Sequence, residues 1–397
     1  MRIISVGASH DCSLVILDNG EIVYYLKEES MSGEKRDSSP IKLMHDAVRF
    51  MPFDYAIYSS PTEDAAEMFG YNFYKTYMQK IYGLTPIEYN GGDAKYQSFT
   101  HHLTHASQGF YNSGFEEAYS VVVDGMGSMY VQPDQNVFTG REHESIYEVS
   151  YPCNFHLIHK NNPSWYGITL IYALVTQLIG ETDLENGKLM GLSSYGIPDQ
   201  TLPSFYEGTK PNMYRDDRSV PIPIPEYSSY HPNRSLIFHP FIRQLEGAST
   251  HHEMVPEIRF IVENIIKDTK PLRKGELTPE IFQEYANLAA KVQKDSEEAV
   301  LNLIYSNCDF NLCKNICLTG GYGLNCLNNF RLTQELPSDV NLYIEPNSDD
   351  AGNSWGAAKH LWHHITGDRT IRPLKNIYQG GGNIDYSMLE TICQDLN

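Results

Sequence analysis

Four residues able to ligate one divalent ion lie in three separated motifs: His101 and His105 in HHLTHA, Asp124 in VVVDGMGS and Asp350 in NSDDAGNSWGAA. If they serve a single ion, any fold of this chain must carry residues 101, 124 and 350 to one point. On a helix, residues i and i+4 share a face, so His101 and His105 can grip one ion from one turn while His102 points elsewhere. Asp124 ends the apolar run Ser120-Val121-Val122-Val123, which reads as a buried strand. Gly125-Met126-Gly127 follows it, and small residues there let backbone N–H groups approach a phosphate, which makes Gly125 and Gly127 candidate binding residues. Nitrogen and oxygen donors without a thiolate suit iron, zinc or manganese, and the donor set alone does not choose among them.

The N-terminus predicts a second device. Ile3 to Val6 reads as a strand, followed by a polar turn holding His10 and Asp11, a strand from Ser13 to Leu17, an Asp18-Asn19-Gly20 turn and a strand from Glu21 to Leu26. Actin-like and hexokinase-like nucleotide-binding domains begin this way, and the Val121 to Gly127 unit has the same look. An internal duplication would set the two turns facing each other across a cleft. Downstream, Trp165 to Ile179 has helical spacing, whereas about 198–272 is rich in Pro, Tyr and Asn and reads as an irregular insertion with one strand-like stretch at Ser235 to Phe238. Thr278-Pro279 predicts a helix start, with Ile281, Phe282, Tyr285, Leu288, Ala289, Val292, Ala299, Val300, Leu303 and Ile304 as its buried stripe. The strand Ile316 to Thr319 then runs into Gly320-Gly321, a turn at which backbone can approach a nucleotide.

Composition excludes some partners. With 397 residues and 41% hydrophobic content, the chain can bury the cores of two lobes. A formal charge of -20 argues against a general binder of nucleic acid or anionic membranes, and the one basic cluster, Lys267, Lys270, Arg273 and Lys274, is small. Seven cysteines without a paired CxxC pattern fit free thiols in a reducing cytoplasm. The first residues are not a signal peptide and no apolar run is long enough for a membrane span, so a soluble cytoplasmic protein is expected.

These segments resemble, in order, the O-carbamoyltransferases that act on nodulation factors and antibiotics, relatives of the tRNA threonylcarbamoyladenosine transferases. The resemblance rests on SHDCSLVILDNGEIV, KEESMSGEKRD, HHLTHASQGFYNSGF, VVVDGMGS, NGKLMGLSSYG, NLAAKVQ, LTGGYGLNCLNN and PNSDDAGNSWGAA, and covers the chain to about Leu361. Ser30 and Met31 depart from an ERF-like run of the family, and Ser193-Ser194 from its Ala-containing turn. The resemblance implies an α/β, actin-like (ASKHA) domain over 1–365, made of duplicated ribonuclease-H-like lobes with a central cleft for nucleotide and metal. It implies Fe(II) or a similar divalent metal on His101, His105, Asp124 and Asp350. That metal would clamp the phosphates of ATP or of a carbamoyl-adenylate made from carbamoyl phosphate. Gly320, Gly321 and Asn325 would lie along the adenosine, and Lys188 near the acyl or phosphate oxygens. His10 matches the general base and Asp11 would orient it, a fitting role because an imidazole with a pKa near ~6.5 can take the proton of an attacking alcohol. Residues 366–397 would be a linker and the start of a YrdC-like domain that makes the adenylate, and if a second chain supplies that domain, Ile371 to Asn397 would be its docking surface.

The acceptor expected is a hydroxyl of a small molecule, a sugar, or a hydroxymethylated pyrimidine nucleotide or DNA. A tRNA threonylcarbamoyl transferase-like subunit is the alternative, disfavoured by the acidic charge. An actin-fold kinase is another, disfavoured by the two imidazoles because Mg-ATP sites use oxygen ligands.

Overall fold

The computed structural model describes residues 1–59, 73–89, 101–125, 127–132, 137–161, 167–206, 222–223, 261, 264–266 and 269–377. Its first sheet contains β1 (Arg2–Gly7), β2 (Ser13–Asp18), β3 (Glu21–Lys27), β4 (Tyr55–Ser59) and β5 (Ile87–Tyr89), in the order β3-β2-β1-β4-β5. β1 and β2 pair antiparallel from Arg2 opposite Asp18 to Gly7 opposite Ser13, which projects residues 8–12 as a turn at the sheet end. The next turn is tight because Asn19 and Gly20 both take positive φ, 49° and 87°, as a two-residue hairpin connection requires. β4 and β5 join in parallel, Gly7 opposite Ser59.

The same topology recurs. The second lobe comprises helix α1 (His101–Ser113), then β6 (Glu117–Val123), β7 (Glu144–Ser150), β8 (Asn154–Asn161), β9 (Asn315–Thr319) and β10 (Asn341–Ile344), with strand order β8-β7-β6-β9-β10. Helices α2 (Ile168–Leu178), α3 (Asn186–Ser193), α4 (Pro279–Asn307), α5 (Cys326–Glu335) and α6 (Asn353–Thr366) complete the framework. Two sheets of identical strand order, each an antiparallel hairpin pair extended by parallel strands, make this a duplicated, actin-like α/β fold.

Both faces of each sheet are buried, which is why the strands read as near-continuous apolar runs rather than as alternation. Ile4, Val6, Leu14 and Ile16 pack with Tyr24, Leu43 and Met44 on one face, while Ile3, Val15, Leu17 and Ile57 pack under Trp355, Ala358 and Leu361 of α6 on the other. In the second lobe Val121 and Val123 face the cluster of α2 and α4, and Val122 faces Leu103, Ala106 and Phe110 of α1. Thus α1 lies on the second sheet and α6 on the first, and the two helices cross each other. At the crossing Gly356 is obligatory, since a Cβ there would stand 1.9 Å from the carbonyl oxygen of Thr104.

The N-terminal hairpin, the duplication and the start of α4 match the sequence reading. Thr278 is the N-cap of α4 in extended conformation, although its side chain makes no capping hydrogen bond. Residues 207–221 and 224–260 of the expected insertion, including the Ser235 to Phe238 stretch, lie outside the described residues, as do Trp165, Lys267 and 378–397. Of the tail, Ile371 and Leu374 pack back on the two lobes, and the Leu374 N–H donates to the Asn112 carbonyl at 2.9 Å. Six cysteines are free among the described residues. No helix among those residues is long and apolar enough to cross a membrane.

Candidate functional site between the lobes

The N-terminus of α1, the end of β6, the turn before α6 and the β1–β2 turn converge where the two helices cross. His101, His105, Asp124 and Asp350 each bring one ligand atom to this point, all four within 4.8 Å of one another and all buried. His101 Nε2 lies 3.1 Å from His105 Nε2, 3.2 Å from Asp350 Oδ1 and 3.5 Å from Asp124 Oδ2, and His105 Nε2 lies 3.5 Å from Asp350 Oδ1. Nitrogen ligands at about 2.1 Å from one ion stand ~3 Å apart on neighbouring coordination positions, so the spacing suits a shared ion. The donor chemistry agrees, because two buried carboxylates beside two imidazoles form a set that a divalent cation neutralises.

Each ligand is held by its own local device. Ser128 Oγ accepts the His101 N–H at 2.9 Å and Glu142 Oε2 accepts the His102 N–H at 3.1 Å, which together cap α1. Glu142 is fully buried, is paired with Lys160 at 3.0 Å, and also accepts the Ser128 N–H at 3.2 Å. One carboxylate therefore fixes both the helix carrying the two histidines and the turn after Asp124. The Asp124 Oδ1 accepts the Gly321 N–H at 2.9 Å. Asp349 caps the turn that presents Asp350 and is anchored across the first lobe by Lys27 at 2.9 Å. His102 turns away as the helical spacing predicts, with Nδ1 2.8 Å from Ser145 Oγ, and burial lowers its pKa well below the ordinary value.

Electrostatics tie the set together. Burial alone would neutralise His101, but Asp350 and Asp124 outweigh it and hold its pKa up at about 10. Burial opposes the charge on Asp350 and Asp124 as well, yet the histidines keep the first well below, and the second below, the usual carboxylate range. Glu144, whose side chain accepts the Ile168 N–H at the start of α2, is pushed up to about 7 by burial.

His10 and Asp11 stand at the rim. His10 Nε2 is 3.0 Å from Asp11 Oδ2, Nδ1 is 3.5 Å from Asp350 Oδ2, and the ring is 42% exposed, so it is open to a substrate. Burial works to lower its pKa, and the Asp11 hydrogen bond with the charges of Asp350 and Asp124 raises it to about 9.

Five of the other expected site residues have different work. The Gly127 N–H donates to the Glu142 carbonyl at 2.8 Å, and a Cβ on Gly127 would meet His102 at 2.7 Å, so this glycine serves close packing rather than a phosphate cradle. Gly320, at φ 87°, is required because a Cβ would stand 2.4 Å from the Val123 carbonyl oxygen, and the Gly321 N–H is spent on Asp124. Asn325 is the N-cap of α5 and forms a reciprocal amide pair with Gln293 at 3.0 Å in both directions. Lys188 is half-exposed and bridges Glu181 and Glu185, each at 2.6 Å. A Cβ on Gly125 would make only an ordinary contact, with Thr169 Cγ2 at 3.6 Å, and the Gly125 carbonyl oxygen lies 2.9 Å from His143 Nδ1. The sequence reading missed Glu142 and Ser128, which hold the start of α1.

Fold and site together define a two-lobed, actin-like protein with a buried His/Asp centre at the lobe junction. The sequence pattern described as "Carbamoyltransferase N-terminus" matches residues 62–359, and the chain belongs to that family. An uncharacterized protein of Synechocystis sp. is 26% identical over 282 residues, covering 68% of this chain and 37% of its own length. The nodulation protein NolNO of Sinorhizobium fredii is 22% identical over 282 residues, covering 71% of this chain and 33% of its own. The chain thus spans about a third of the length of the curated relatives it matches. Among solved structures, component A of (R)-2-hydroxyglutaryl-CoA dehydratase from Acidaminococcus fermentans aligns with a TM-score of 0.42 at 10% identity, over 92% of this chain and 98% of that one. Full-length HypF in a phosphate- and nucleotide-bound form aligns at 0.43 and 16% identity, over 93% of this chain and 56% of that one.

Proposed function

We propose that this domain transfers a carbamoyl group from carbamoyl-adenylate to an acceptor hydroxyl at the junction of the two lobes. The observation that carries the reading is the position of His10, exposed at the rim and 3.5 Å from Asp350 of the buried cluster, in a member of the carbamoyltransferase family. The acceptor oxygen attacks the carbamoyl carbon, its proton passes to His10, and the bond from that carbon to the phosphate oxygen breaks, releasing AMP. Asp11 orients the imidazole and stabilises it once protonated. His101, His105, Asp124 and Asp350 would hold Fe(II) or a similar divalent ion, which when bound supplies positive charge to the donor's phosphate oxygens. With Asp350 and Asp124 committed to a cation, their pull on the His10 proton is offset, and the imidazole can act as a base near neutral pH.

The donor arises from carbamoyl phosphate and ATP through a YrdC-like activity, in keeping with curated relatives about three times as long as the matched region. The acceptor is a small-molecule, sugar or hydroxymethylated nucleotide hydroxyl, and the charge of -20 favours one without a long polyanionic backbone. Incubating the iron-loaded protein with carbamoyl-adenylate and hydroxymethyl-deoxycytidine nucleotides, hydroxymethylated DNA or amino sugars should yield a carbamoyl mass increment on one acceptor class. Hydrolysis of the donor with no acceptor modified in any class would refute the transferase reading.

A further inference from the structure

Ser13, fully buried, stands three residues after His10, where the β1–β2 turn rejoins the sheet opposite Gly7. Strand alternation puts it on the face that Val15 and Leu17 present to α6. Helix and strand meet there through apolar side chains, a contact that is non-directional and fixes separation better than register. Ser13 adds direction. Its Oγ lies 2.7 Å from the Ala351 carbonyl oxygen and 2.6 Å from Ser354 Oγ. A carbonyl only accepts, so Ser13 donates to Ala351 and Ser354 donates to Ser13. Gly7 admits this close approach, since a Cβ there would crowd both Ser13 Oγ and the Ser354 backbone nitrogen at 3.3 Å.

Ala351 directly follows Asp350, so this bond joins the turn that carries His10 to the turn that carries Asp350. The other braces of the His10 turn run elsewhere. The Asp11 N–H donates to Ser9 Oγ at 3.1 Å, the Cys12 N–H to the Asp37 carbonyl at 3.3 Å and the Ala8 N–H to the Ser59 carbonyl at 2.8 Å. Lys27 also holds the Asp350 turn, through Asp349, but from β3, one strand further from His10. We infer that Ser13 is a positioning residue: its hydrogen bond to Ala351 keeps the His10 turn in register with Asp350. The 3.5 Å separation of His10 Nδ1 from Asp350 Oδ2 is then set from below, and with it the reach of the base toward a donor held at the cluster.

This inference rests on His10 as the base, and the test separates the two. Ser13→Ala and Ser354→Ala each remove one buried hydroxyl from the same junction, so a merely structural role predicts equal effects. Positioning predicts unequal ones, because Ser354→Ala keeps the bond from Ser13 to Ala351. With carbamoyl-adenylate and the acceptor panel, kcat should fall roughly 10–100-fold in Ser13→Ala and stay within about threefold of the parent in Ser354→Ala. The KM for carbamoyl-adenylate, and zinc affinity by chelator competition, should stay within about threefold of the parent in both, since neither serine binds donor or metal. A second readout needs no turnover. In protein labelled with ¹³C at histidine, the His10 Cε1–H signal should be one narrow line in the parent and in Ser354→Ala, and broadened or split in Ser13→Ala. If Ser13→Ala does not fold, Ser13→Cys replaces it, a weaker donor acting over a longer bond, with changes in the same direction. A parent that modifies no acceptor while the His10 line still broadens in Ser13→Ala would sink the transferase reading and uphold the junction. A narrow His10 line in Ser13→Ala, or equal slowing in the two serine variants, would overturn the assignment.

Discussion

Replacing Gly356 by alanine tests whether the helix crossing builds the site. The added Cβ would stand 1.9 Å from the Thr104 carbonyl oxygen and 3.0 Å from the Gln108 nitrogen, whereas real Cβ atoms essentially never approach a neighbour closer than 3.0 Å. Backbone atoms cannot rotate away as a side-chain tip can, so α1 and α6 must part by about 1 Å, a distortion of the kind that costs about 1–3 kcal/mol. The same movement separates His101 and His105 on α1 from Asp350 and Asn353 beside the start of α6. Metal ligation tolerates departures of only about 0.2 Å, so affinity should fall by at least ~10-fold, or about 1.4 kcal/mol. Urea unfolding and zinc competition would read the two effects. Gly187→Ala on α3 is the control, since nothing lies within 4 Å of a Cβ there and alanine favours the helix. Stability and zinc affinity equal in Gly356→Ala and the control would refute the idea that this crossing sets the ligand geometry.

Three further outcomes are expected. His101→Ala should abolish stoichiometric metal in elemental analysis, and His102→Ala, which removes a buried ring bonded to Ser145 but no ligand atom of the cluster, should leave most of it. His10→Asn should slow carbamoyl transfer roughly 10²–10⁴-fold while metal content stays near the parent's, because a base acts in the transition state; turnover near the parent's would remove it from the mechanism. For the metal-free protein, the sign follows from His101, whose pKa is raised from 6.5 to about 10 by Asp350 and Asp124 against the effect of burial. That contribution to stability is fully present below pH 6.5 and is lost as the pH rises to about 10, so urea midpoints should fall across this window. His101→Gln should flatten that fall, and an equally steep decline in the variant would assign it to other groups.

Local sequence signals found the elements whose causes are local. The Asn19-Gly20 turn, the Thr278-Pro279 helix start and the His101/His105 spacing all depend on neighbours within a few residues. Glycines were read less well, because a glycine required by close packing looks like one that admits a ligand. Gly127 and Gly320 are explained by contacts with His102 and Val123 that no local pattern reveals. Asn325 is a helix cap by its own position, yet its pairing with Gln293 needs α4 and α5 side by side. Glu142 sits in an unremarkable REHES run, and its importance arises only when β7 lies beside β6 and the N-terminus of α1.

Whether the buried cluster is a metal centre serving carbamoyl transfer is decided by product mass spectrometry with the metal as the variable. Protein stripped by chelation, then reloaded with Fe(II), is given carbamoyl-adenylate and the acceptor panel. A metal centre requires no carbamoyl increment before reloading, recovery after it, and no recovery in His101→Ala. Full product formation by the stripped protein in metal-depleted buffer would contradict it.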